Sequence, residues 1–374
     1  MTGYSADEQT GGEQVGEAAA PLVGFLDEDH VIRLARALLH PDDPAMRAYV
    51  TGFFAPEAIE ERRWARMGAG LEQASHSPTP LGRGTEAVRC IVFRRGNIDR
   101  TFLAAHPNLR LIQRLGARPV GIDIAEATRR NIQISCMPRP SLAAVAEHCL
   151  MLMLAVSKKL IPSDARVRRG GFEPGASGQV AYNWAGIGGI GRLWGKTLGV
   201  VGMGEVGVLV AERARAFGMR TLYVDDNPLQ PELARELNAE HVALPTLCEA
   251  SDIVSVHVPA SPRNGAILGA REFAAMKPTA IVINTSRGSV VDEEALVEAL
   301  TAGRLGGAAL DVHRREPRPV DAFCAMDNVV LTPHLAAGSR LGVLDEIEMI
   351  FDNLRAVAAG RAAVHAVVES RDRP

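Results

Sequence analysis

The sequence predicts an α/β protein of two domains, each built on a parallel sheet. In the second half of the chain, short apolar segments alternate with helix-compatible stretches, which is typical of parallel strands covered on both faces. The length of 374 residues exceeds what one compact core usually holds, so two domains are expected. A hydrophobic content of 47% and a charged content of 23% indicate a globular protein rather than a collagen or a disordered chain.

Charge and composition exclude several classes of partner. The chain carries 41 basic and 44 acidic residues and a net charge of -3, with Lys and Arg dispersed, so neither nucleic acid nor an anionic membrane is an expected partner. The longest apolar run, Cys149–Val156, is much shorter than the roughly 20 residues of a membrane span. Five cysteines without a C-x-x-C pair indicate reduced core residues of a cytoplasmic protein. No histidine forms a short-spaced ligand pair, so no metal is expected.

The elements of the first domain follow an acidic leader. Residues 1–20 lack Leu, Ile and Phe, which indicates a disordered leader rather than a signal peptide. Apolar segments then predict four strands, namely Leu22–Leu26, Ile91–Phe93, Leu109–Ile112 and Ile132–Ile134. A long helix without breakers, Ala143–Lys159, is expected to connect the two domains, and Gly170–Gly195 is expected to be an irregular crossover.

The second domain is predicted to hold six buried strands. They are Thr197–Val201, Thr221–Asp225, Ile253–His257, Ala280–Asn284, Ala308–Asp311 and Val329–Thr332. A final amphipathic helix, Leu344–Ala359, is expected to pack back on the first domain and make it discontinuous. The predicted boundaries are therefore 21–142 plus 337–370 for the first domain and 143–336 for the second.

A glycine-rich turn in the second domain predicts a dinucleotide site. Gly202-Met-Gly204-Glu205-Val206-Gly207 joins a buried strand to a helix, as the pyrophosphate-binding turn of nucleotide folds does. Asp225 ends the next strand, 18 residues after Gly207, where a carboxylate would accept hydrogen bonds from ribose hydroxyls and repel a 2'-phosphate. NAD is therefore favoured over NADP. Glu205 is expected to point outward, favoured by the helix dipole.

Three residues could carry chemistry at the carboxyl ends of later strands. Arg287 lies in the string N-T-S-R-G and could hold a carboxylate by a bidentate contact. Glu316 precedes a proline and His334 ends the string L-T-P-H. A carboxylate paired with a histidine raises the histidine pKa and fixes its tautomer, which suits an acid/base. Taken singly, each residue is more often structural than catalytic.

Together these strings resemble the D-isomer-specific 2-hydroxyacid dehydrogenase family over Leu109–Gly360. The matching strings, besides the glycine turn, are Val145–His148, Gly195–Gly199, Met276–Pro278, Asn284–Gly288, Gly306–Val312, Glu316-Pro317 and Leu331–His334. The resemblance implies two Rossmann-like domains, a discontinuous flavodoxin-like substrate domain and a doubly wound NAD-binding domain. It also implies an NAD-dependent enzyme that interconverts a 2-oxo acid and a D-2-hydroxy acid, and a homodimer formed through the nucleotide domain.

The resemblance also implies roles for individual residues. Arg287 would bind the substrate carboxylate and carbonyl, His334 would be the acid/base and Glu316 its partner. Formate dehydrogenases of this superfamily have Gln in place of that Glu, so Glu316 favours a 2-hydroxy acid. Asp311 would lie near the nicotinamide. Thr285 and the loop of His257, Val258 and Pro259 would line the cofactor cleft.

The sequence departs from the family pattern where substrate is expected to bind. The usual G-V-G-x-D-N-I-D is replaced by Gly116-Ala117-Arg118-Pro119-Val120-Gly121-Ile122-Asp123, so that Arg118 replaces a glycine and Pro119 removes an amide donor. Arg139 and Ser141 stand in the string that replaces P-G-x-N. With Arg94 and Arg95, these residues could form a cationic cavity for a more anionic substrate. The alternative is that Arg118 and Arg139 point to solvent or pair with acids.

Two other functions remain open on the sequence alone. A nucleotide-sensing binding protein with little turnover could share this fold and these residues, as transcriptional co-repressors do. A redox enzyme of a phosphorus oxyanion would also use the same cofactor site. Turnover of 2-oxo acids with NADH would discriminate between these and the dehydrogenase.

Overall fold

The chain divides into two compact units. The computed structural model describes residues 22–27, 29–39, 48, 76–77, 87–170, 187–260, 265–316, 318–338 and 340–367. One unit comprises Met1–Pro138 and Leu344–Pro374, and the other Arg139–Val343. The sequence predicted boundaries at 142/143 and 336/337. The predicted leader and most of the predicted crossover lie outside the described residues.

The first unit is built on a parallel sheet of five strands in the order β2-β1-β3-β4-β5. The strands are β1 Leu22–Phe25, β2 His76–Ser77, β3 Val88–Phe93, β4 Leu111–Leu115 and β5 Gln133–Met137. Its helices are α1 His30–Leu39, α2 Arg100–Ala105 and α3 Ile124–Arg129. The four predicted strands are present with shifted ends, because apolar patterning locates a strand better than its termini. The strand β2 was not predicted, since two polar residues carry no apolar pattern.

The second unit holds a parallel sheet of seven strands in the order β12-β11-β10-β9-β6-β7-β8. The strands are β6 Thr197–Val201, β7 Arg220–Val224, β8 Ala239–His241, β9 Ile253–Val256, β10 Ile281–Asn284, β11 Gly307–Leu310 and β12 Val329–Leu331. The six predicted strands are present. The edge strand β8 was missed because its sequence, AEH, is mostly polar. The chain order reverses at β6, between β7 and β9, and open sheets bind ligands at such a point.

Helices cover both faces of this second sheet. They are α4 Pro140–Ser157, α5 Leu160–Arg168, α6 Glu205–Ala216, α7 Pro231–Glu236, α8 Leu244–Ala250, α9 Ala270–Ala275, α10 Glu293–Thr301 and α11 Asp321–Cys324, with a 3-10 turn at Gly288–Val290. Two apolar clusters form the core, one with α4 and α6 and one with α8, α9 and α10. Residues at the carboxyl ends of these strands therefore follow a sheet that has an apolar core on each face.

The helix α4 starts earlier than predicted, because Pro140 is well suited to the first turn of a helix. Its length and hydropathy would also suit a membrane span, but 61% of it is buried inside the protein. Leu152, Met153 and Cys149 are part of the second unit's core. The helix is therefore a core helix of this unit.

The last helix, α12 Arg340–Ala358, returns the chain to the first unit, which includes all residues from Leu344 onward. Ile347, Phe351 and Leu354 on this helix are fully buried. After the helix, Ala366 forms an antiparallel bridge with Ser135 of β5. The amphipathic pattern of this segment is therefore explained by burial against the first sheet.

Candidate active site

A histidine and a glutamate meet at the carboxyl ends of two neighbouring strands. His334 follows β12 and Glu316 follows β11, and the Nδ1 atom of His334 lies 2.7 Å from Oε2 of Glu316. The backbone N–H of His313 donates to the other carboxylate oxygen of Glu316, at 3.3 Å. The two side chains are 44% and 37% exposed. Because Nδ1 is committed to the carboxylate, Nε2 of His334 is the nitrogen that can exchange a proton with a substrate.

The hydrogen bonds with His334 and His313 keep Glu316 negatively charged. Burial alone would raise the pKa of this carboxyl, but the hydrogen bonds from His334 and from the backbone of His313 outweigh burial and lower the pKa. Glu316 is therefore a carboxylate at neutral pH. In that form it accepts the Nδ1–H hydrogen bond and stabilises the protonated ring.

The backbone of His334 is held in an unusual conformation. Its φ angle is +53°, in the left-handed region that non-glycine residues rarely adopt. The backbone N–H of His334 donates to the carbonyl oxygen of Asp311 at 2.8 Å. The Asp311 carboxylate accepts the backbone N–H groups of Leu335 and Ala336, each at 2.9 Å. One residue thus fixes the chain at and just beyond the histidine.

Asp311 is a buried residue that positions the backbone around His334. Its side chain is 0% exposed and accepts a hydrogen bond of 2.6 Å from the hydroxyl of Thr332, while Nε2 of His148 lies 3.4 Å away. Burial would raise the pKa of Asp311, but the hydrogen bonds from His148, Thr332 and the backbone lower it to about 2. These contacts account for the full burial of the carboxylate, and the position of Asp311 near the nicotinamide stays a prediction.

The sequence reasoning gave no role to His148 or Thr332. Nε2 of His148 lies 3.1 Å from the hydroxyl oxygen of Thr332, which in turn donates to Asp311. A single histidine in the mostly apolar helix α4 was the available signal, since a buried polar side chain needs a partner. Which partner it meets depends on a residue far away in the chain.

Arg287 is presented by a loop that packs against the loop of Glu316. The side chain of Asn284 accepts the backbone N–H of Ser286 at 3.1 Å and donates to the carbonyl of Arg287 at 3.0 Å. Gly288 is buried, and a Cβ atom there would overlap the backbone of His313. The guanidinium of Arg287 is exposed and, among the described residues, donates only to the carbonyl of Ser286, at 2.6 Å. Most of its donors can therefore serve a bound carboxylate.

The glycine-rich turn forms a backbone-lined space at the start of α6. Gly202 has φ +96°, and a Cβ there would lie 2.7 Å from the side chain of Val258 and 2.9 Å from the carbonyl of His257. A Cβ on Gly207 would overlap the carbonyl of Gly202, whereas a Cβ on Gly204 would enter open space. That open space lies beside Glu205 and Val206, at a helix N-terminus that favours anions. The turn therefore fits a dinucleotide pyrophosphate.

Asp225 connects this turn to the next strand. Its Oδ2 accepts the backbone N–H of Met203 at 2.7 Å, and its Oδ1 accepts the N–H of Asn227 at 2.8 Å. Each carboxylate oxygen can accept a second hydrogen bond, so the half-buried side chain can still bind ribose hydroxyls. The contact with Met203 also fixes the carboxylate relative to the glycine turn.

Three further cofactor candidates differ in accessibility. Nε2 of the half-buried His257 lies 2.9 Å from the hydroxyl of Ser255, and burial lowers the pKa of His257 to about 4, so the ring is neutral. Pro259 is exposed. Thr285 is buried, and its hydroxyl lies 3.1 Å from Sγ of Cys149, whose pKa is raised to about 12 by burial. The Thr285 hydroxyl is therefore buried against the Cys149 thiol.

The candidate substrate arginines do not form one free cationic group. The guanidinium of Arg94 lies 2.6 Å from the carboxylate of Asp29, so its charge is compensated by an ion pair. The side chains of Arg95, Ala117 and Arg118 are exposed. Arg94 is neutralised because Asp29, distant in sequence, follows the neighbouring strand β1.

The loop that carries Arg118 is fixed by another arginine. Arg114 donates to the carbonyl of Arg118 at 2.6 Å and to that of Val120 at 3.1 Å. In the second unit, Arg139 and Ser141 are buried at the start of α4, so the alternative that Arg139 points to solvent is wrong. The proline at position 140, in the first turn, lies between these two buried residues.

The chain is similar to several known proteins. The family model described as D-isomer specific 2-hydroxyacid dehydrogenase, NAD binding domain, matches residues 150–336. The chain is 38% identical over 263 residues to a glyoxylate reductase of Thermococcus litoralis, covering 70% of this chain and 78% of that protein. It is 35% identical over 325 residues to a D-3-phosphoglycerate dehydrogenase of Archaeoglobus fulgidus. The match covers 86% of this chain and 59% of that protein. The crystal structure of TT0316 protein from Thermus thermophilus aligns with a TM-score of 0.51 and 32% identity, covering 79% and 92%.

Proposed function

Because this chain belongs to the D-isomer-specific 2-hydroxyacid dehydrogenase family and is an NAD-dependent enzyme of that type, we propose that His334, Glu316 and Arg287 carry out its reaction. The observation that supports the assignment is the 2.7 Å contact between His334 and Glu316, which leaves Nε2 of the histidine available. The reaction is the reduction of a 2-oxo acid to a D-2-hydroxy acid, or its reverse.

Each of the three side chains has a separate task. Arg287 binds the substrate carboxylate and polarises the carbonyl with its exposed guanidinium. His334 donates a proton from Nε2 to the carbonyl oxygen, and Glu316 stabilises the imidazolium from which that proton leaves. The bound nicotinamide supplies the hydride to the carbonyl carbon. In the oxidation direction His334 accepts the proton instead.

The cofactor is held by the glycine turn and by Asp225. The open space at Gly204 receives the pyrophosphate, and the Asp225 carboxylate binds the ribose hydroxyls and repels a 2'-phosphate. NADH is therefore the preferred reductant. Asp225→Ser should narrow the ratio of kcat/KM for NADH to that for NADPH by about tenfold, which is about 1.4 kcal/mol. A preference for NADPH in the unaltered enzyme would contradict this role of Asp225.

A substrate with an additional negative charge is the second candidate. It is supported by the similarity to a D-3-phosphoglycerate dehydrogenase. Pairing of Arg94 with Asp29 leaves Arg118 and Arg95 as the free charges of the predicted set. kcat/KM for glyoxylate, hydroxypyruvate and 2-oxoglutarate should be compared between the wild type and Arg118→Ala. An unchanged order of preference would reject the candidate.

The enzyme is also proposed to be a cytoplasmic homodimer. Cys90, Cys136, Cys149 and Cys248 are buried free thiols, which suits a reducing compartment. Exposed apolar side chains of the second unit, among them Met151 and Phe217, supply a surface that a second copy would cover. Light scattering coupled to gel filtration measures the mass directly. A monomer at assay concentrations would reject the dimer.

The decisive experiment substitutes the proposed acid/base without straining the backbone. Asparagine tolerates positive φ, so His334→Asn should keep the fold and lower kcat by about 10²–10⁴ with any accepted 2-oxo acid. His365 has the same φ of +53° and is also exposed, so His365→Asn is a matched control that should leave kcat unchanged. Equal turnover by His334→Asn and the wild type would reject the proposed mechanism.

A further inference from the structure

A cavity of about 480 Å³ lies on the second unit, away from the carboxyl ends of the strands. Three of its lining residues are arginines: Arg215 in the last turn of α6, Arg220 at the start of β7 and Arg235 in α7. The turns at Gly218 and Asn238 complete the wall. The volume is in the range of small-ligand sites and larger than one phosphate group needs.

The positive charge in this cavity is poorly compensated by the protein. No carboxylate is found among the described residues that line the cavity. Arg235 pairs with Glu232 at 2.8 Å, but both side chains are about three-quarters exposed, and such pairs are weak. Within the described part of the chain, the guanidinium groups of Arg215 and Arg220 have no ion pair or hydrogen bond. Three permanent positive charges therefore face one space.

Helix termination does not account for Arg215. A basic side chain near a helix C-terminus usually compensates the helix dipole. In α6 the neighbouring Arg213 makes the contacts, donating to the carbonyl of Leu209 at 3.1 Å and lying 3.5 Å from Glu147. Arg215 instead lines the cavity.

The wall that carries these arginines is fixed by backbone hydrogen bonds. Gly195 N–H donates to the carbonyl of Gly218 at 3.0 Å, and Arg220 N–H to that of Lys196 at 3.1 Å. Thr221 N–H donates to the carbonyl of Asn238 at 3.2 Å. Gly218 and Asn238 adopt positive φ, which allows the chain to turn sharply before β7 and before β8. The arginines thus project from ordered backbone.

The cavity is separate from the cofactor site, although the same elements reach both. The helix α6 starts at the glycine turn and has 12 residues, so Arg215 in its last turn lies about 15–18 Å from the pyrophosphate position. The strand β7 likewise starts at Arg220 and runs toward Asp225. An anion at the cavity therefore cannot be the cofactor phosphates bound to the glycine turn.

We propose that this cavity binds a phosphate-bearing anion with at least two negative charges. Arginine offers paired donors in a plane that match two phosphate oxygens, which lysine does not. Two arginines without carboxylate partners in the described structure and one with a weak partner supply the charge for a pyrophosphate group. The remaining volume leaves room for the organic part of a phosphorylated small molecule.

Inorganic pyrophosphate is the probe, titrated calorimetrically into the enzyme saturated with NADH so that the glycine turn is occupied. The wild type should bind one pyrophosphate per chain, and binding should weaken as KCl is raised. Arg215→Gln/Arg220→Gln should lose at least tenfold in affinity. Arg168→Gln is the control, since Arg168 is exposed on the same unit and pairs with Asp164. Arg168→Gln should bind pyrophosphate with the same affinity as the wild type.

The same samples are assayed for reduction of a 2-oxo acid, and the double variant should keep the wild-type kcat. Absence of binding by the wild type under NADH saturation, or equal binding by the double variant, would overturn the proposal. Binding that disappears when NADH is added belongs to the glycine turn and would also overturn it. A wild type that binds pyrophosphate as expected but reduces no 2-oxo acid would reject the catalytic roles and leave the cavity assignment intact.

Discussion

Each unit contains a buried polar network, and the two networks differ in charge. In the second unit the Asp311 carboxylate is surrounded by Thr332, His148 and backbone N–H groups. In the first unit the Asn353 amide donates to Gln113 at 2.5 Å and to Ser135 at 3.0 Å, and accepts the N–H of Val364 at 2.7 Å. Both Asp311 and Asn353 are fully buried.

The difference follows from what each network holds in place. A buried charge is costly unless it is fully hydrogen-bonded, and it then binds its donors more strongly than a neutral group does. Asp311 fixes the backbone around the proposed acid/base, His334, whose φ is positive. Asn353 only joins the last helix and the segment after it to the strands β4 and β5. Charge is used where a strained conformation must be enforced.

The largest effect is expected from placing a charge in the neutral network. Asn353→Asp sets a carboxylate oxygen against the Gln113 oxygen that the amide contacted at 2.5 Å. Leaving such a charge uncompensated should lower the free energy of unfolding by about 3–5 kcal/mol at pH 7. Burial raises the pKa of the new carboxyl, so the loss should shrink as the pH falls toward 5 and the group binds a proton. Urea denaturation at pH 5 and pH 7 measures both values, and equal losses would contradict the explanation.

Removal of the Glu316 carboxylate, the proposed partner of His334, should affect activity rather than stability. Glu316→Gln keeps the size of the side chain but cannot stabilise the imidazolium of His334 by charge. We expect kcat/KM to fall about 10²-fold, which is about 2.7 kcal/mol of lost transition-state stabilisation. The free energy of unfolding should change little. Glu298→Gln, at an exposed position of α10, is the control and should behave as wild type. Full activity of Glu316→Gln would reject the pairing as functional.

Asp311→Asn is the reverse of Asn353→Asp, because it removes the charge from the network of the second unit. The pKa of Asp311 is lowered from 3.8 to about 2, so its charge stabilises the folded protein by about 2 kcal/mol at pH 7. This stabilisation is present above pH 4 and is lost as the pH falls toward 2. Asp311→Asn should therefore lower the free energy of unfolding by about 2 kcal/mol at both pH 7 and pH 5, and by less at pH 3.

Asp311→Asn should also lower activity, because the backbone next to the proposed acid/base His334 loses hydrogen bonds. With Leu335 and Ala336 held less firmly, kcat should fall more than KM rises, because the substrate-binding Arg287 lies on another loop. Steady-state kinetics on Asp311→Asn and Asn353→Asp separate the networks, since the second variant should keep kcat in its folded fraction. An unchanged kcat for Asp311→Asn would show that the histidine loop does not depend on this carboxylate.

The smallest effect is expected from one hydrogen bond of the charged network. Thr332→Val keeps the shape but removes the hydroxyl that donates to Asp311 at 2.6 Å and lies 3.1 Å from His148. The loss should be about 1 kcal/mol in the free energy of unfolding. Urea denaturation at pH 7 is the measurement. A loss as large as that of Asp311→Asn would mean that the backbone donors contribute little.

The sequence predicted most of the fold and the residues at the centre of the site. Apolar strands, the glycine turn between strand and helix, and the strings around Arg287, Glu316 and His334 are local patterns, and local patterns can be interpreted without coordinates. The strand β8 was missed because an edge strand buries little surface and needs few apolar residues. The ends of the other strands were shifted because hydrogen-bond pairing, not hydropathy, decides where a strand stops.

By itself, then, the sequence determined the parallel α/β class, most of the strands and the dinucleotide turn, and it supplied the proposed acid/base pair. The tertiary structure alone decided that Arg94 is neutralised by Asp29, that Asp311 is buried beneath the His334 loop, and that His148 supports it. The physical reason is that charge pairing and burial depend on neighbours in space. Those neighbours come from distant parts of the chain, and no local pattern specifies them.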